Sequence, residues 1–301
     1  MRTQSPPEAP RLIAGRGKLI AWLYMPGLAV LALFAAAVPN AVVQQPVANM
    51  YSRPSEDADV VSQAIFGANV AVMEQKDGWA HIRTADEYLG WTPVRMLVLG
   101  PLYGGRGKVA EVRSLFAHIY REASVTKHAP LITVPFESRL EVIGEGAGDG
   151  RWLQVRLPDD RQGWIQAGDV TLEPGKMSVA ETLEFAKRFL GLPYTWGGTS
   201  SYGYDCSGFS QMLGRQRGLN MPRDAQPQAE WSGVVPVDRK DLRPGDLLFF
   251  GNSEKKITHT GIYLGDGKFI NATTYQTPMV RIDDLNDPHW IKLLVAARRV
   301  K

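Results

Sequence analysis

Between residues 45 and 172, short runs of alternating apolar and polar residues are separated by turns rich in glycine and aspartate. Ala71-Val72-Met73 and Leu140-Glu141-Val142-Ile143 are two of these runs, and Lys76-Asp77-Gly78 is one of the turns. Alternation with a period of two is typical of strands, and short strands at this spacing favour small β-barrels. The pattern therefore predicts β structure throughout this part of the chain.

The same landmarks occur twice in this region, which indicates an internal repeat. In one copy, Gly78-Trp79-Ala80-His81-Ile82-Arg83 is followed by Leu89-Gly90-Trp91-Thr92. In the other copy, Arg151-Trp152-Leu153-Gln154-Val155-Arg156 is followed by Gln162-Gly163-Trp164-Ile165. We predict two barrels of similar architecture, at residues 46–100 and 108–172, with most of these tryptophans in their cores.

After Pro174 the spacing of the apolar residues changes to that of a helix. Ser178 followed by Glu181 forms a capping-box pattern, and Gly191-Leu192-Pro193 is a stop signal. Between them, apolar residues recur at Val179, Leu183, Phe185, Ala186, Phe189 and Leu190. We therefore predict a third domain over residues 173–301, beginning with a helix.

The N-terminus carries a different pattern. Leu19 to Val38 is a run of 20 residues without a charge, behind a basic leader that ends in Arg16 and Lys18. A run of that length can span a bilayer, and the basic flank predicts that everything after it is exported. Small residues follow, as a signal peptidase requires, at Ala35, Ala36, Ala37 and Ala41. The sequence leaves open whether residues 1–41, with their hydrophobic helix, are a cleaved signal peptide or a retained membrane anchor.

Charge and cysteine content narrow the classes of function. Residues 1–40 hold four basic side chains and one acidic side chain, so the rest of the chain keeps 30 of each sign. A balanced body has no electrostatic footprint for nucleic acid. The single cysteine excludes an intramolecular disulfide, and the five histidines are too dispersed for a local metal motif. We expect no metal and no cofactor.

That cysteine lies in Tyr204-Asp205-Cys206-Ser207-Gly208-Phe209-Ser210, at the start of a segment that reads as a helix. Asp205 is suited to cap the helix, which puts Cys206 in its first turn. A thiol there has a lowered pKa, and the free backbone N–H groups can hold an oxyanion. A free cysteine can also be a small buried apolar residue, but the polar, glycine-rich neighbours favour a nucleophile.

A second segment supplies a candidate base. Ile257 to Leu264 and Lys268 to Ala272 read as the two strands of a hairpin that turns at Gly265-Asp266-Gly267. In that register Gly261 faces Asn271, so Asn271 is a diagonal neighbour of His259 on the same face. The Asn271 carbonyl can fix one tautomer of the imidazole and leave the other nitrogen free for Cys206. Without the cysteine, His259 would read as an ordinary strand residue.

Four ordered segments of the third domain resemble the motifs of the NlpC-type cell-wall cysteine peptidases, which have a papain-like core. They are Tyr194 to Gly198, Asp205 to Phe209, Arg243 to Leu247 and His259 to Tyr263. The two repeated barrels resemble bacterial SH3-like modules. Together the layout resembles the γ-D-glutamyl-L-diamino-acid endopeptidases, also called dipeptidyl-peptidase VI. The resemblance implies an α+β chain in which two SH3-like barrels precede a papain-like peptidase domain.

The resemblance also implies a reaction and a set of residues. Cys206, oriented with His259 and Asn271, would cleave the amide between γ-D-glutamate and a diamino acid in peptidoglycan stem peptides. The first barrel would cap the cleft and bind the free amine of an N-terminal L-alanine. The side chains implied in substrate binding are Tyr194, Asp205, Ser207 and Asp224 in the third domain, with Tyr88 and Asp59 in the first, Glu56 being an alternative to Asp59.

One position departs from the family pattern, because relatives often have histidine where this chain has Asn271. Asparagine performs the same orienting role in papain-like enzymes but bears no charge, so we expect activity with an altered pH profile. Two other functions compete with the hydrolase. One is a non-catalytic protein whose SH3-like modules bind peptidoglycan. The other is a thiol acyltransferase on the same core, which would yield a new amide. Each of the three acts in the envelope or outside the cell.

Overall fold

Two seven-stranded antiparallel sheets are followed by a domain of helices and a six-stranded sheet. The structure is a computed structural model and describes residues 40–146 and 150–301. The predicted hydrophobic helix at 19–38, and with it the choice between signal peptide and anchor, lies outside these residues. Among the residues described, no helix combines the length and the apolar character needed to cross a membrane.

The first sheet begins at Asn40, before the boundary predicted at residue 46. Its strands are β1 (Asn40–Val43), β2 (Val47–Tyr51), β3 (Val60–Ile65), β4 (Asn69–Lys76), β5 (Trp79–Arg83), β6 (Leu89–Pro93) and β7 (Leu97–Leu99). The early start has a clear cause, since β1 pairs with both β4 and β7 and buries Ala41 and Val43 in the core of the sheet. The predicted turn at Asp77-Gly78 is confirmed, with positive φ angles of 49° and 81°.

The second sheet repeats the first. Its strands are β8 (Lys108–Val112), β9 (Phe116–Tyr120), β10 (Ile132–Pro135), β11 (Arg139–Glu145), β12 (Trp152–Arg156), β13 (Gln162–Gln166) and β14 (Val170–Thr171). The strand order is β3-β2-β6-β5-β4-β1-β7 in the first sheet and β10-β9-β13-β12-β11-β8-β14 in the second, so each strand has a counterpart seven places later. The internal repeat read from the sequence is therefore a repeat of topology.

The third domain contains the remaining elements. They are α1 (Val179–Ala186), β15 (Thr199–Ser200), β16 (Gly203–Tyr204), α2 (Cys206–Gln216), α3 (Ala225–Glu230), β17 (Val234–Pro236), β18 (Leu247–Ser253), β19 (Lys256–Gly265), β20 (Lys268–Thr273), β21 (Met279–Asp284), α4 (Pro288–Leu293) and β22 (Leu294–Val300). Short 3-10 helices cover Val94–Met96, Ala167–Asp169, Lys187–Phe189 and Arg239–Asp241. The predicted α+β class, with two β modules ahead of a mixed domain, is confirmed.

The six-stranded sheet has the order β17-β22-β18-β19-β20-β21 and is covered on both faces. On one face, α1 and α2 enclose a core that includes Phe189, Phe209 and Phe249. On the other face, Phe250 and Trp290 belong to a second core, to which α4 contributes. Because α2 packs against β19, the first residue of the helix is held next to the strand that carries the candidate base.

Capping interactions fix where the two long helices begin. The Ser178 hydroxyl accepts from the Glu181 N–H and the Glu181 carboxylate accepts from the Ser178 N–H, so the predicted capping box is present. The Asp205 carboxylate accepts from the Gly208 N–H at 2.7 Å, which makes Asp205 the N-cap of α2 as expected. These short side chains satisfy N–H groups that have no partner inside the helix.

The three domains are held together by interlocking side chains. Phe66, at the end of the first sheet, is buried in the core of the second. Phe136, from the second sheet, packs against Phe185 and Phe189 of the third domain. The first sheet contacts the third domain directly, because the Thr199 N–H donates to the Gln63 side chain at 3.1 Å. Both β modules therefore pack directly against the third domain.

Candidate active site

Cys206 is the first residue of α2 and has 8% of its surface exposed. Its sulfur lies within hydrogen-bonding range of the backbone N–H groups of Ser207 and Thr260. Thr260 follows His259 on β19, so the helix start and the base-bearing strand meet at this point. The site has the two features that a nucleophilic thiol needs, which are a neighbouring imidazole strand and backbone donors at a helix start.

The structure differs from the sequence-based expectation for the thiol itself. Burial raises the pKa of Cys206 to about 12, and the nearby Asp205 carboxylate adds to the rise. The N–H groups of Thr260 and Ser207 and the Arg223 guanidinium act in the opposite direction. Desolvation of the thiolate therefore outweighs the favourable effect of the helix N-terminus. The expectation of a lowered thiol pKa was wrong because the sequence did not reveal how deeply the helix start is buried.

His259 is partly buried, and its orientation is fixed by Asn271. The Nε2 atom of His259 lies 2.8 Å from Oδ1 of Asn271, which leaves Nδ1 as the nitrogen that can accept a proton. The ring also stacks on Trp290, with the centroids 5.2 Å apart and the planes at 26°. Burial lowers the pKa of His259 to about 4, and the hydrogen bond to Asn271 and the charge of Asp283 partly oppose that change. Burial therefore favours the uncharged form of both the thiol and the imidazole.

The predicted hairpin register that brings Asn271 next to His259 is confirmed. Ile262 pairs with Ile270, which sets Gly261 opposite Asn271, and Asp266-Gly267 form the turn with φ angles of 49° and 72°. A Cβ on Gly261 would lie 3.0 Å from the Cβ of Asn271 and 2.8 Å from the Phe269 ring. The missing side chain therefore leaves the space in which the Asn271 amide reaches His259.

Asp205 has a fully engaged carboxylate. Besides capping α2, it forms a two-pronged ion pair with Arg223, at 2.6 and 3.0 Å. Arg223 is 3% exposed and also donates to Ser207 at 2.9 Å and to Ser62 of the first sheet at 3.1 Å. Paired, planar contacts of this kind are the strong form of a charge-assisted hydrogen bond. Arg223 thus connects the nucleophile's helix to the neighbouring β module.

The other predicted binding residues fall into two groups. Tyr194 is close to the nucleophile, since the charge of Cys206 contributes to the raised pKa of its hydroxyl. Tyr88 of the first module donates to the Asp224 carboxylate at 3.1 Å, so two of the predicted residues, from different domains, are in contact. Asp59 is exposed just before β3, and within 40–146 and 150–301 no hydrogen bond joins its side chain to another predicted residue. Glu56 forms an exposed ion pair with Arg95.

Sequence reasoning missed three residues next to the site. Arg223 directly precedes the predicted residue Asp224, but no local pattern indicates that its side chain is buried. Trp290 lies in a segment that the sequence analysis did not interpret. No local pattern marks Asp283 either. A prediction of the β20–β21 hairpin would have placed it diagonal to Asn271. No three His, Cys, Asp or Glu side chains of the described segments are grouped closely enough to hold a metal ion.

The lowered pKa of His259 makes the stability of the fold sensitive to acid. The imidazole binds a proton near pH 6.5 in the unfolded chain and near pH 4 in the folded chain. The contribution of neutral His259 to the free energy of unfolding is therefore fully present above pH 6.5 and is lost as the pH falls towards 4. The shift corresponds to about 3 kcal/mol, which the partial exposure of the ring reduces to about 2 kcal/mol. Denaturant unfolding from pH 7 to pH 4 should show this loss in wild type and a shallower loss in H259Q. Parallel curves would contradict the assigned environment.

Comparisons with known proteins agree with this architecture. A model described as the NlpC/P60 family matches residues 191–299. A model described as the bacterial dipeptidyl-peptidase SH3 domain matches residues 50–97, and one described as the bacterial SH3 domain matches residues 121–171. The three matches coincide in order with the two seven-stranded sheets and the mixed domain.

Relatives resemble the chain over most of its length. The γ-D-glutamyl-L-lysine dipeptidyl-peptidase of Bacillus subtilis is 38% identical over 254 residues, which cover 81% of this chain and 82% of that protein. A Bacillus cereus protein of the same name is 31% identical, over 79% of this chain and 74% of its own. A crystal structure of an NlpC/P60 family protein from Bacillus cereus has a TM-score of 0.75 at 25% identity, covering 87% of this chain and 99% of that one.

Proposed function

Because this chain belongs to the NlpC/P60 family of cysteine peptidases, we propose that it hydrolyses the bond between γ-D-glutamate and the diamino acid of peptidoglycan stem peptides. The observation that carries the proposal is the hydrogen bond between His259 and Asn271 beside the helix start that bears Cys206. The relatives that match over most of the chain are named for cleavage at γ-D-glutamyl-L-lysine, which supports the choice of bond.

Because burial favours the uncharged forms of Cys206 and His259, we propose that the thiol loses its proton as it attacks. As the Cys206 sulfur attacks the amide carbon, its proton passes to Nδ1 of His259, so no net charge enters the buried site. The oxyanion of the tetrahedral intermediate accepts from N–H groups at the start of α2. The imidazolium then gives its proton to the departing amine, which leaves a thioester on Cys206. Water, deprotonated by His259, hydrolyses the thioester and restores the thiol.

The first β module supports a preference for substrates with a free N-terminal amine. Tyr88 and Asp224 meet across the boundary between the module and the peptidase domain, and burial raises the pKa of both side chains, that of Tyr88 to about 12. A substrate ammonium at this position would donate a charge-assisted hydrogen bond to the Asp224 carboxylate. We propose that Asp224 and Tyr88 bind the amine of L-alanine, with Tyr194 and Ser207 on the wall of the cleft. Asp59 stays a proposed contributor at its rim.

Blocking that amine is the direct test. We expect the full-length protein to release L-Ala-γ-D-Glu from a stem tripeptide, and acetylation of the L-alanine nitrogen to lower kcat/KM by about a hundredfold. The loss follows from removing the charge-assisted hydrogen bond between the substrate ammonium and the Asp224 carboxylate, and from placing an acetyl group beside that carboxylate. Product analysis by mass spectrometry on the free and the acetylated peptide measures both values.

Two variants sharpen this test. D224N should lower kcat/KM for the free peptide towards the value for the acetylated peptide. D266N, in the hairpin turn, should keep the wild-type preference for the free amine. Equal rates of the wild type on both peptides would contradict amine recognition and leave the choice of bond intact. A product containing a new amide instead of free peptides would indicate acyl transfer.

The site of action follows from the substrate. Peptidoglycan lies outside the cytoplasmic membrane, so we propose that the protein acts in the envelope or outside the cell. Membrane attachment through residues 19–38 stays a prediction from the sequence, as does the absence of nucleic-acid binding.

A further inference from the structure

Asp283 is a buried carboxylate that contacts Asn271 on the side facing away from His259. It has 6% of its surface exposed, and its Oδ2 accepts from Nδ2 of Asn271 at 3.0 Å. We propose that Asp283 is a positioning residue of the catalytic site, which orients the amide of Asn271 and through it the imidazole of His259. This inference rests on the proposed function.

The strand register explains why these side chains meet. Asn271 on β20 is paired directly with Arg281 on β21, and Asp283 lies two residues further along the same face. Asp283 is held in place by an ion pair with Arg281, whose guanidinium lies 2.7 Å from Oδ1. The two oxygens therefore have separate partners, one cationic and one amide. The ion pair with Arg281 therefore holds the Asp283 carboxylate in place independently of Asn271.

An asparagine amide can be turned by half a rotation, which exchanges its donor and its acceptor. The Nδ2 side of Asn271 faces two groups that only accept, the Asp283 carboxylate and the backbone carbonyl of Arg281 at 3.4 Å. The reversed amide would point its oxygen at both of them and lose both hydrogen bonds. Asp283 therefore selects the orientation in which Oδ1 of Asn271 faces His259.

That orientation determines which imidazole nitrogen is the base. An oxygen at 2.8 Å from Nε2 requires a proton on Nε2, so Nδ1 carries the lone pair. With the amide reversed, Nδ2 would donate to Nε2, the proton would move to Nδ1, and the thiol would have no acceptor. Asn271 thus determines the tautomer of His259 only because Asp283 determines the orientation of the Asn271 amide.

Asp283 also supplies a negative charge near His259, which the neutral Asn271 side chain cannot supply. When His259 takes the thiol proton it becomes an imidazolium, and a carboxylate one hydrogen bond away stabilises it. Other charged or titratable groups act on the same ring: Asp205 on the helix cap favours the imidazolium, and His289 on α4 opposes it. Arg281 reduces the charge of Asp283 only in part, because its guanidinium lies on the far oxygen. Asn271 and Asp283 together replace a charged third residue.

Two substitutions separate the roles of orientation and charge. D283N removes the charge but keeps an oxygen that can accept from Asn271, and D283L removes both. We expect kcat to fall about tenfold in D283N and about a hundredfold in D283L, with KM changed less than threefold. The matched control is D284N, since Asp284 is the next residue, points to the other face and pairs with Lys268. It should keep the wild-type kcat.

Alkylation of Cys206 supplies a readout that needs no peptide substrate. The chain has one cysteine, so the rate of carbamidomethylation by iodoacetamide reports this thiol alone. The thiolate forms when the imidazole takes the proton, so loss of the Asp283 charge should lower the fraction of the thiolate–imidazolium pair at neutral pH. We expect the rate at pH 7 to fall several-fold in D283N and further in D283L, and to be unchanged in D284N.

The double variant N271A/D283L tests whether the orienting effect passes through Asn271. If it does, adding D283L to N271A lowers kcat only by the roughly tenfold that the lost charge accounts for, against about a hundredfold in the wild type. Equal multiplicative losses in both backgrounds, or losses that simply follow a lower melting temperature, would overturn the proposal and leave Asp283 a structural residue. Unchanged alkylation in D283N and D283L would overturn it as well. A wild type that fails to cleave the γ-D-glutamyl peptide would instead refute the proposed substrate, while the alkylation series still decides the role of Asp283.

Discussion

Replacing Cys206 with alanine is expected to lower kcat/KM for a stem peptide by a factor on the order of 10⁴ or more. Losses of this size follow removal of a nucleophile, since the residual rate comes only from binding and from the oxyanion donors. The fold should survive, because deleting one sulfur from a site with 8% exposure costs about 1 kcal/mol. The measurement is the rate of release of L-Ala-γ-D-Glu, together with the melting temperature of the variant.

The matched control is C206S, which keeps the size and polarity of the side chain. A serine hydroxyl is a much weaker nucleophile when only an imidazole of lowered pKa can take its proton, so this variant should also be inactive. Both variants should still bind the stem peptide with nearly the wild-type affinity. An alanine variant that cleaves as fast as wild type would remove the catalytic assignment of Cys206.

Replacing Arg223 with methionine is expected to destabilise the protein by about 3–5 kcal/mol, the usual cost of removing one partner of a buried ion pair. Its guanidinium neutralises Asp205 and contacts Ser207 and Ser62. Without it, the Asp205 charge stays buried next to the nucleophile. Equilibrium unfolding in urea measures the loss.

Two comparisons identify the cause. The double variant R223M/D205N should recover most of the stability, because it leaves no unpaired charge in the interior. R95M is the surface control, since its ion pair with Glu56 is exposed on both sides and should be worth less than about 1 kcal/mol. If R223M were no less stable than R95M, the assigned role of Arg223 in joining the domains would be wrong.

Local patterns in the sequence predicted the elements whose formation depends on neighbouring residues. The capping box at Ser178, the cap at Asp205 and the hairpin turn at Asp266-Gly267 each involve residues close together in the chain. The register from that turn placed Asn271 near His259 without any knowledge of the rest of the fold. Similarly, the repeated tryptophan landmarks marked two modules whose strand orders are the same.

What escaped prediction depends on contacts between distant parts of the chain. The Arg223 guanidinium donates to Ser62, which lies 161 residues earlier in the chain, and no local pattern around Arg223 records that contact. The raised pKa of Cys206 reflects the enclosure of the helix start by other elements, which no pattern around the cysteine records. Asp283 reads as one of two consecutive acidic residues, and only the pairing of β20 with β21 shows which of them faces Asn271.

Phe66 of the first module fills part of the core of the second sheet, so the second module depends on the first for its packing. At the same junction, a side chain on Gly67 would lie 2.0 Å from the carbonyl oxygen of Arg139, so the backbones of the two modules are in direct contact. A gene fusion that transplanted the second module alone would carry a hole the size of a phenyl ring. Limited proteolysis between the modules should therefore yield no stable fragment that begins at residue 108, and recombination within this part of the gene should exchange both modules together.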